Sequence, residues 1–269
     1  MKNNQTIGDL HRLQHGYSYD EHEFFYEFLL ISPSYYKAHQ FLTGRSVRRD
    51  VHSNISQWDL VLETYALCGN VYAMPFLGWW ETVGRALFYT KQNDGTYLPK
   101  GSISLLNNKL NERTLIECLT LVNEKPRLEK INSSRVENWR LGVECGIHSK
   151  WTHQLKGTSK KTHDNLEART ALGILVSKKI REALYIAENA ARGVFPSLSH
   201  IDSGLAFDYP GIHELCKINL KLENEDKRNR IKLGERVPRS FFVRKVLPKQ
   251  NKAKIIQIEV QKYMGNAKT

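Results

Sequence analysis

Residues 164–192 read DNLEARTALGILVSKKIREALYIAENAAR. Leu172, Val176, Ile180, Leu184, Ala187 and Ala191 recur at intervals of three or four, which returns each side chain to one face of a helix. Asp164 stands where a side chain can satisfy the first free backbone N–H groups. Gly193 stands where a helix commonly ends in a left-handed residue. Lys178, Lys179 and Arg181 fall on the outer side. The pattern predicts one long amphipathic helix.

The first half reads the same way. Ser18 and Glu21 make an S-x-x-E capping box ahead of Phe24, Phe25, Phe28 and Leu29 at helical spacing. Ser32-Pro33 ends that helix and opens another, since proline fits a first helical position. Tyr36, Phe41 and Leu42 continue an apolar side, and Gly44 is a stop. A small basic cluster follows at Arg45, Arg48 and Arg49. Trp58, Leu62, Tyr65 and Cys68 place a third helix over 56–68, with Gly69 after it. A fourth fits 75–89, PFLGWWETVGRALFY, where Trp79, Val83, Ala86 and Leu87 share a side. Its aromatic density invites a base-stacking role, but stacking platforms are usually sheets, and helical spacing favours core.

Residues 91–102, KQNDGTYLPKGS, form the clearest turn-rich break. Beyond it, TLIECLTLV (114–122) fits either a buried strand or a helical turn, and Pro126 opens a further helix. FDYPGIHELCKINLKL (207–222) has room for a short helix, and KIIQIEVQKYM (254–264) fits a strand or a helix. The expected fold is mainly α. An aromatic-rich, multi-helix N-terminal module (1–92) precedes a second helical module (103–200) with room for a minor β element, then a basic C-terminal region (201–269).

Charge is unevenly spread. Of a net +12 over 269 residues, residues 227–254 carry eleven Lys and Arg against Glu235 alone. The cations are Lys227, Arg228, Arg230, Lys232, Arg236, Arg239, Arg244, Lys245, Lys249, Lys252 and Lys254. Such concentration points to a polyanionic partner, most often nucleic acid; a solvated tail is the alternative. The four cysteines, Cys68, Cys118, Cys145 and Cys216, lie far apart without a CxxC pair. The N-terminus lacks the apolar core of a signal peptide, and no apolar run approaches the roughly 20 residues of a membrane span. These features predict a cytoplasmic protein that does not enter a membrane.

Residues 138–157 read NWRLGVECGIHSKWTHQLKG. Leu141 and Val143 lie inside a first helix, with Gly142 as a small contact position. Gly146 sits at a turn, Ile147 follows it, and Leu155 anchors a second helix. This stretch resembles the helix-turn-helix of DNA-binding proteins, over about 20 residues of the chain. It departs from that pattern at Thr152, where an aliphatic residue is usual. The resemblance implies that Ser149, Lys150, His153 and Gln154 face a major groove. Lys156, Lys160 and Lys161 would then reach phosphates.

Cys145, His148, His153 and His163 have the atom types of a zinc site, but C-x2-H-x4-H-x9-H matches no common framework. No phosphate loop, dinucleotide fingerprint, HExxH or GxSxG is present. A metal-dependent nuclease would need clustered carboxylates. Asp202, Asp208, Glu214 and Glu259 are its candidates, with His200, His213 and Lys262 nearby in sequence. The expectation is a non-catalytic regulator or accessory subunit that binds nucleic acid, DNA rather than RNA, without a cofactor or metal. Its phosphate-binding residues would include Lys227, Arg228, Arg230, Lys232, Arg236, Arg239, Arg244, Lys245 and Lys249. The alternatives are a scaffold that docks partner proteins, and a nuclease built on 200–214 or 259–262.

Overall fold

The computed structural model describes residues 21–44, 55–93, 97–106, 110–157, 162–202 and 204–234, and the fold is mainly α. The capping serine Ser18, the Arg45 cluster, Lys160, Lys161 and the basic stretch beyond 234 lie outside these residues.

Helix α1 (Glu21–Ile31) buries Phe24, Phe25, Phe28 and Leu29, as their spacing predicts. Ser32 ends it and caps α2 (Pro33–Leu42), accepting the Tyr35 N–H while Pro33 fills the first helical position. The buried row of α2 is Tyr35, Ala38 and His39. Phe41 and Leu42, expected on the apolar side, are therefore exposed at its end. Helix α3 (Trp58–Cys68) closes on Gly69 at φ +71°.

The fourth helix is not uniform. It runs as α4 (Phe76–Trp79), a π turn (Trp80–Gly84) and α5 (Arg85–Phe88). A π turn adds one residue to the helix and shifts every later side chain around the axis. Leu87 and Phe88 therefore face inward, and Ala86, expected beside Val83, is exposed. The register shift brings Gly84 under two indole rings: a Cβ there would sit 2.7 Å from Trp80 and 2.8 Å from Trp79.

Part of the turn-rich break forms an antiparallel hairpin, β1 (Tyr89–Lys91) with β2 (Tyr97–Pro99). β3 (Ser104–Leu105) pairs in parallel with β4 (Val194–Phe195), which supplies the minor β element.

Helix α6 (Glu112–Asn132) starts on Asn111, whose side chain accepts the Thr114 N–H at 2.8 Å. It settles 114–122 as helix and corrects the expectation for Pro126, which lies inside the helix and is buried. Proline removes one hydrogen bond there, but burial of Leu119, Val122 and Leu128 around it outweighs that local loss.

After α7 (Asn138–Glu144) and α8 (Ser149–Leu155), the 28-residue helix α9 (His163–Ala190) forms the spine. Thr162 and Asn165 form its capping box, in place of Asp164. Lys179, expected outside, is half-buried between Glu117 and Glu182 at 3.4 Å from each. Helix α10 (Tyr209–Lys232) has 24 residues, far longer than the short helix expected there. Asp208 caps it, and its Asn219 reaches the Tyr26 hydroxyl at 3.1 Å.

Two hydrophobic cores meet along α9. Its C-terminal half (Ala183, Ile186, Ala187, Ala190) joins Phe25, Phe28, Trp79, Cys118 and Phe195. That core takes residues from both sides of the hairpin. The N-terminal half (Ala168, Leu172, Val176) joins Leu121, Leu128, Leu141, Ile147 and Leu155. A buried polar network pins α9 to the start of α2. Glu188 accepts from the Ser32 hydroxyl and the Ser34 N–H, each at 3.0 Å, and also from the Ser34 hydroxyl. Arg192 pairs with Glu188 at 3.0 Å and donates to the Ser56 carbonyl at 2.8 Å. Among the described residues, no helix is long and apolar enough to cross a membrane.

Candidate nucleic-acid interface

The stretch 138–157 folds as two short helices around a glycine turn. The Ile147 N–H donates to the Gly142 carbonyl at 3.0 Å, and the Gly146 N–H to the Val143 carbonyl at 3.2 Å. Together with Gly146 at φ +66°, this is a Schellman ending, which redirects the chain within two residues. Leu141, Ile147 and Leu155 are buried and Val143 is half-buried, so the apolar residues clamp the pair as their positions predict.

Gly142 is a close-contact position, but its neighbour differs from the expected one. A Cβ there would lie 2.8 Å from Leu172 and Val176, both on α9 rather than α8. The glycine thus seats α7 on the spine, and α8 packs on the same spine through Leu155. Thr152, at the position where an aliphatic residue is usual, is half-buried. Its hydroxyl has no hydrogen-bond partner among the described residues. The rings of His148 and Trp151 stack at 4.0 Å just after the turn.

The outer side of α8 is polar and open. Ser149, Lys150, His153 and Gln154 are all exposed, and so is Lys156 just after the helix. None of these five lies in an ion pair among the described residues.

At the start of the basic stretch, Lys227, Arg228 and Lys232 are exposed on α10. Arg230 is committed within the fold. It grips Glu81 through two bonds of 2.9 and 2.7 Å and Asp226 through a third of 2.8 Å, so its charge is already neutralised. Arg236, Arg239, Arg244, Lys245 and Lys249 lie outside the described residues, as do Glu259 and Lys262.

The remaining candidates are dispersed. Asp208 spends a carboxylate oxygen on the Gly211 N–H at 3.1 Å. Glu214 takes a hydrogen bond from Lys217 at 2.9 Å, which holds its carboxyl below the usual range. His200 lies edge-on to Tyr185 at 5.2 Å. Burial pushes the Cys145 thiol well above its ordinary value, which disfavours the thiolate that a metal or nucleophilic role requires. Among the described residues, no three His, Cys, Asp or Glu side chains are placed to share a metal ion.

A surface that the sequence did not reveal lies between residues 135–139 and the outer face of α9. It is a groove of about 1000 Å³, lined by Trp139, Arg169, Ile174, Arg181 and Leu198 among others. Its residues come from three separate stretches of chain, so no local pattern announces it. Comparison with protein-family models, with curated proteins and with solved structures gives no match to this chain.

Proposed function

We propose that this protein binds nucleic acid, DNA rather than RNA, as a non-catalytic regulator or accessory subunit. The observation that carries this reading is the division of labour in residues 138–157. Three buried apolar residues fix the two helices, while every residue expected to meet DNA on α8 is exposed. Lys150 and Gln154 supply donors and an acceptor suited to base edges, and Ser149 and Lys156 suit phosphates. Lys227, Arg228 and Lys232, together with the cations beyond residue 234, add phosphate neutralisation without sequence choice. Arg230 is left out of this set. The four free cysteines agree with a reducing, cytoplasmic setting.

Affinity for a labelled duplex, followed by fluorescence anisotropy, should fall by orders of magnitude between ~50 and ~300 mM salt. Lys150→Ala with Gln154→Ala should change the preference among duplexes, while Arg244→Ala with Lys245→Ala should weaken all of them alike. Binding that ignores salt, or that is untouched by either pair, contradicts the reading.

A further inference from the structure

The groove beside α7 has an unbalanced charge on an apolar floor. Both of its acids are already engaged. Glu137 accepts the Trp139 indole N–H at 3.0 Å and pairs with Arg140 at 3.3 Å. Glu182 pairs with Lys179 at 3.4 Å and lies 3.9 Å from Lys178. Arg135 and Arg181 line the same groove, both exposed and without an acidic partner among the described residues. The groove is also lined by two aliphatic side chains that face solvent, Ile174 at 66% exposure and Leu198 at 39%.

We propose that this groove docks an acidic, amphipathic segment of a partner protein. Its aliphatic side chains cover Ile174 and Leu198, and its carboxylates meet Arg135 and Arg181. Removing the two exposed aliphatics from water supplies binding energy, and the arginines set the orientation and reject cationic segments. A single nucleic-acid strand fits less well. It offers no aliphatic side chains for Ile174 and Leu198. The one indole in the groove is 8% exposed, and the Arg169 guanidinium already lies over it at 4.1 Å. The chain's own undescribed ends do not match the charge either. Residues 235–269 hold nine Lys and Arg against two acids, and residues 1–20 hold two of each sign. The groove shares no residue with α8, so partner docking and DNA binding use separate surfaces.

Selection of a displayed random-peptide library on the full-length protein tests this directly. The enriched peptides should combine Asp or Glu with Leu, Ile or Phe. They should lose about tenfold in affinity on Arg135→Ala with Arg181→Ala, and more on Ile174→Glu. Ile174→Ser provides a milder break if Ile174→Glu lowers the unfolding midpoint. Lys150→Ala with Gln154→Ala should leave peptide affinity unchanged. The proposal is overturned if no acidic, apolar peptides enrich, or if those that do bind the groove variants as well as the parent. It is equally overturned if a thymidine oligonucleotide strand, rather than the peptides, loses affinity on the Arg135 and Arg181 substitutions.

Discussion

Gly142 and Gly146 stand four residues apart and resist substitution for different reasons. At Gly142 the backbone is ordinary helix, but a side chain would collide with Leu172 and Val176 at 2.8 Å. At Gly146 nothing lies within 4 Å of a Cβ, and only the φ of +66° disfavours one. Gly142→Ala should therefore cost ~1–3 kcal/mol of unfolding free energy, and Gly142→Asn more, because the clash grows with volume. Gly146→Ala should cost about 1 kcal/mol, and Gly146→Asn less, because asparagine tolerates the left-handed region. Urea denaturation of the four variants distinguishes the two causes; equal losses for the two asparagine variants would contradict them. Both glycines were legible from their place in the pattern. The partner of Gly142 was not, since Leu172 lies thirty residues along the chain.

Glu223 carries a second prediction at this scale. Burial, and then the nearby Asp226 carboxylate, push its carboxyl up to about 7. Glu27 is raised as well, first by burial and then by Glu223 and Glu23. A carboxyl raised in the folded state binds its proton there more tightly than in the unfolded chain. Stability is therefore lost as pH rises from the ordinary carboxylate range, near 4.5, through about 7. Glu223→Gln should stabilise the protein by on the order of 1 kcal/mol at pH ~8, with the gain gone at pH ~4. A gain that is the same at both values would remove the protonation explanation. No sequence signal marked Glu223, because α10 was expected to end before it.

Long-range packing decides where the elements run. The spine α9 was legible because one apolar face persists through the helix. Helix α6 was not, because Pro126 and the β-branched Thr and Ile before it speak locally against a continuous helix, and only burial of the whole stretch overrides them. The π turn at Trp80–Gly84 was equally silent, since it shifts the register without any proline. Glu188 ties α9 to the start of α2 through Ser32 and Ser34, and it pairs with Arg192 one turn on, at side-chain exposures of 1% and 3%. Glu188→Gln leaves the Arg192 charge buried without its counter-charge and should cost ~3–5 kcal/mol in denaturant unfolding. A loss well below 1 kcal/mol would mean that the serine hydrogen bonds, not the charge pair, hold this junction.

Across the whole molecule, the cations divide by their surroundings. The polar side of α8 and Lys227, Arg228 and Lys232 of α10 face outward with no ion pair among the described residues, whereas Arg230 and Lys179 are used to hold helices together. The two short helices and glycine turn of residues 138–157 were legible because the glycines, the apolar clamp and the exposed polar residues all fall within twenty consecutive positions. Charge counting alone could not separate Arg230 from its neighbours, because Glu81 is supplied by a distant part of the chain. The groove was illegible for the same reason. The role of the α7–α8 unit is tested most directly by selecting duplexes from a random pool with the parent protein and with the Lys150→Ala, Gln154→Ala variant. The parent should enrich a defined sequence that the variant no longer prefers, while affinity for random duplex changes only a few-fold. Recovery of the same sequence by both proteins, or of none by the parent, would contradict base recognition by α8.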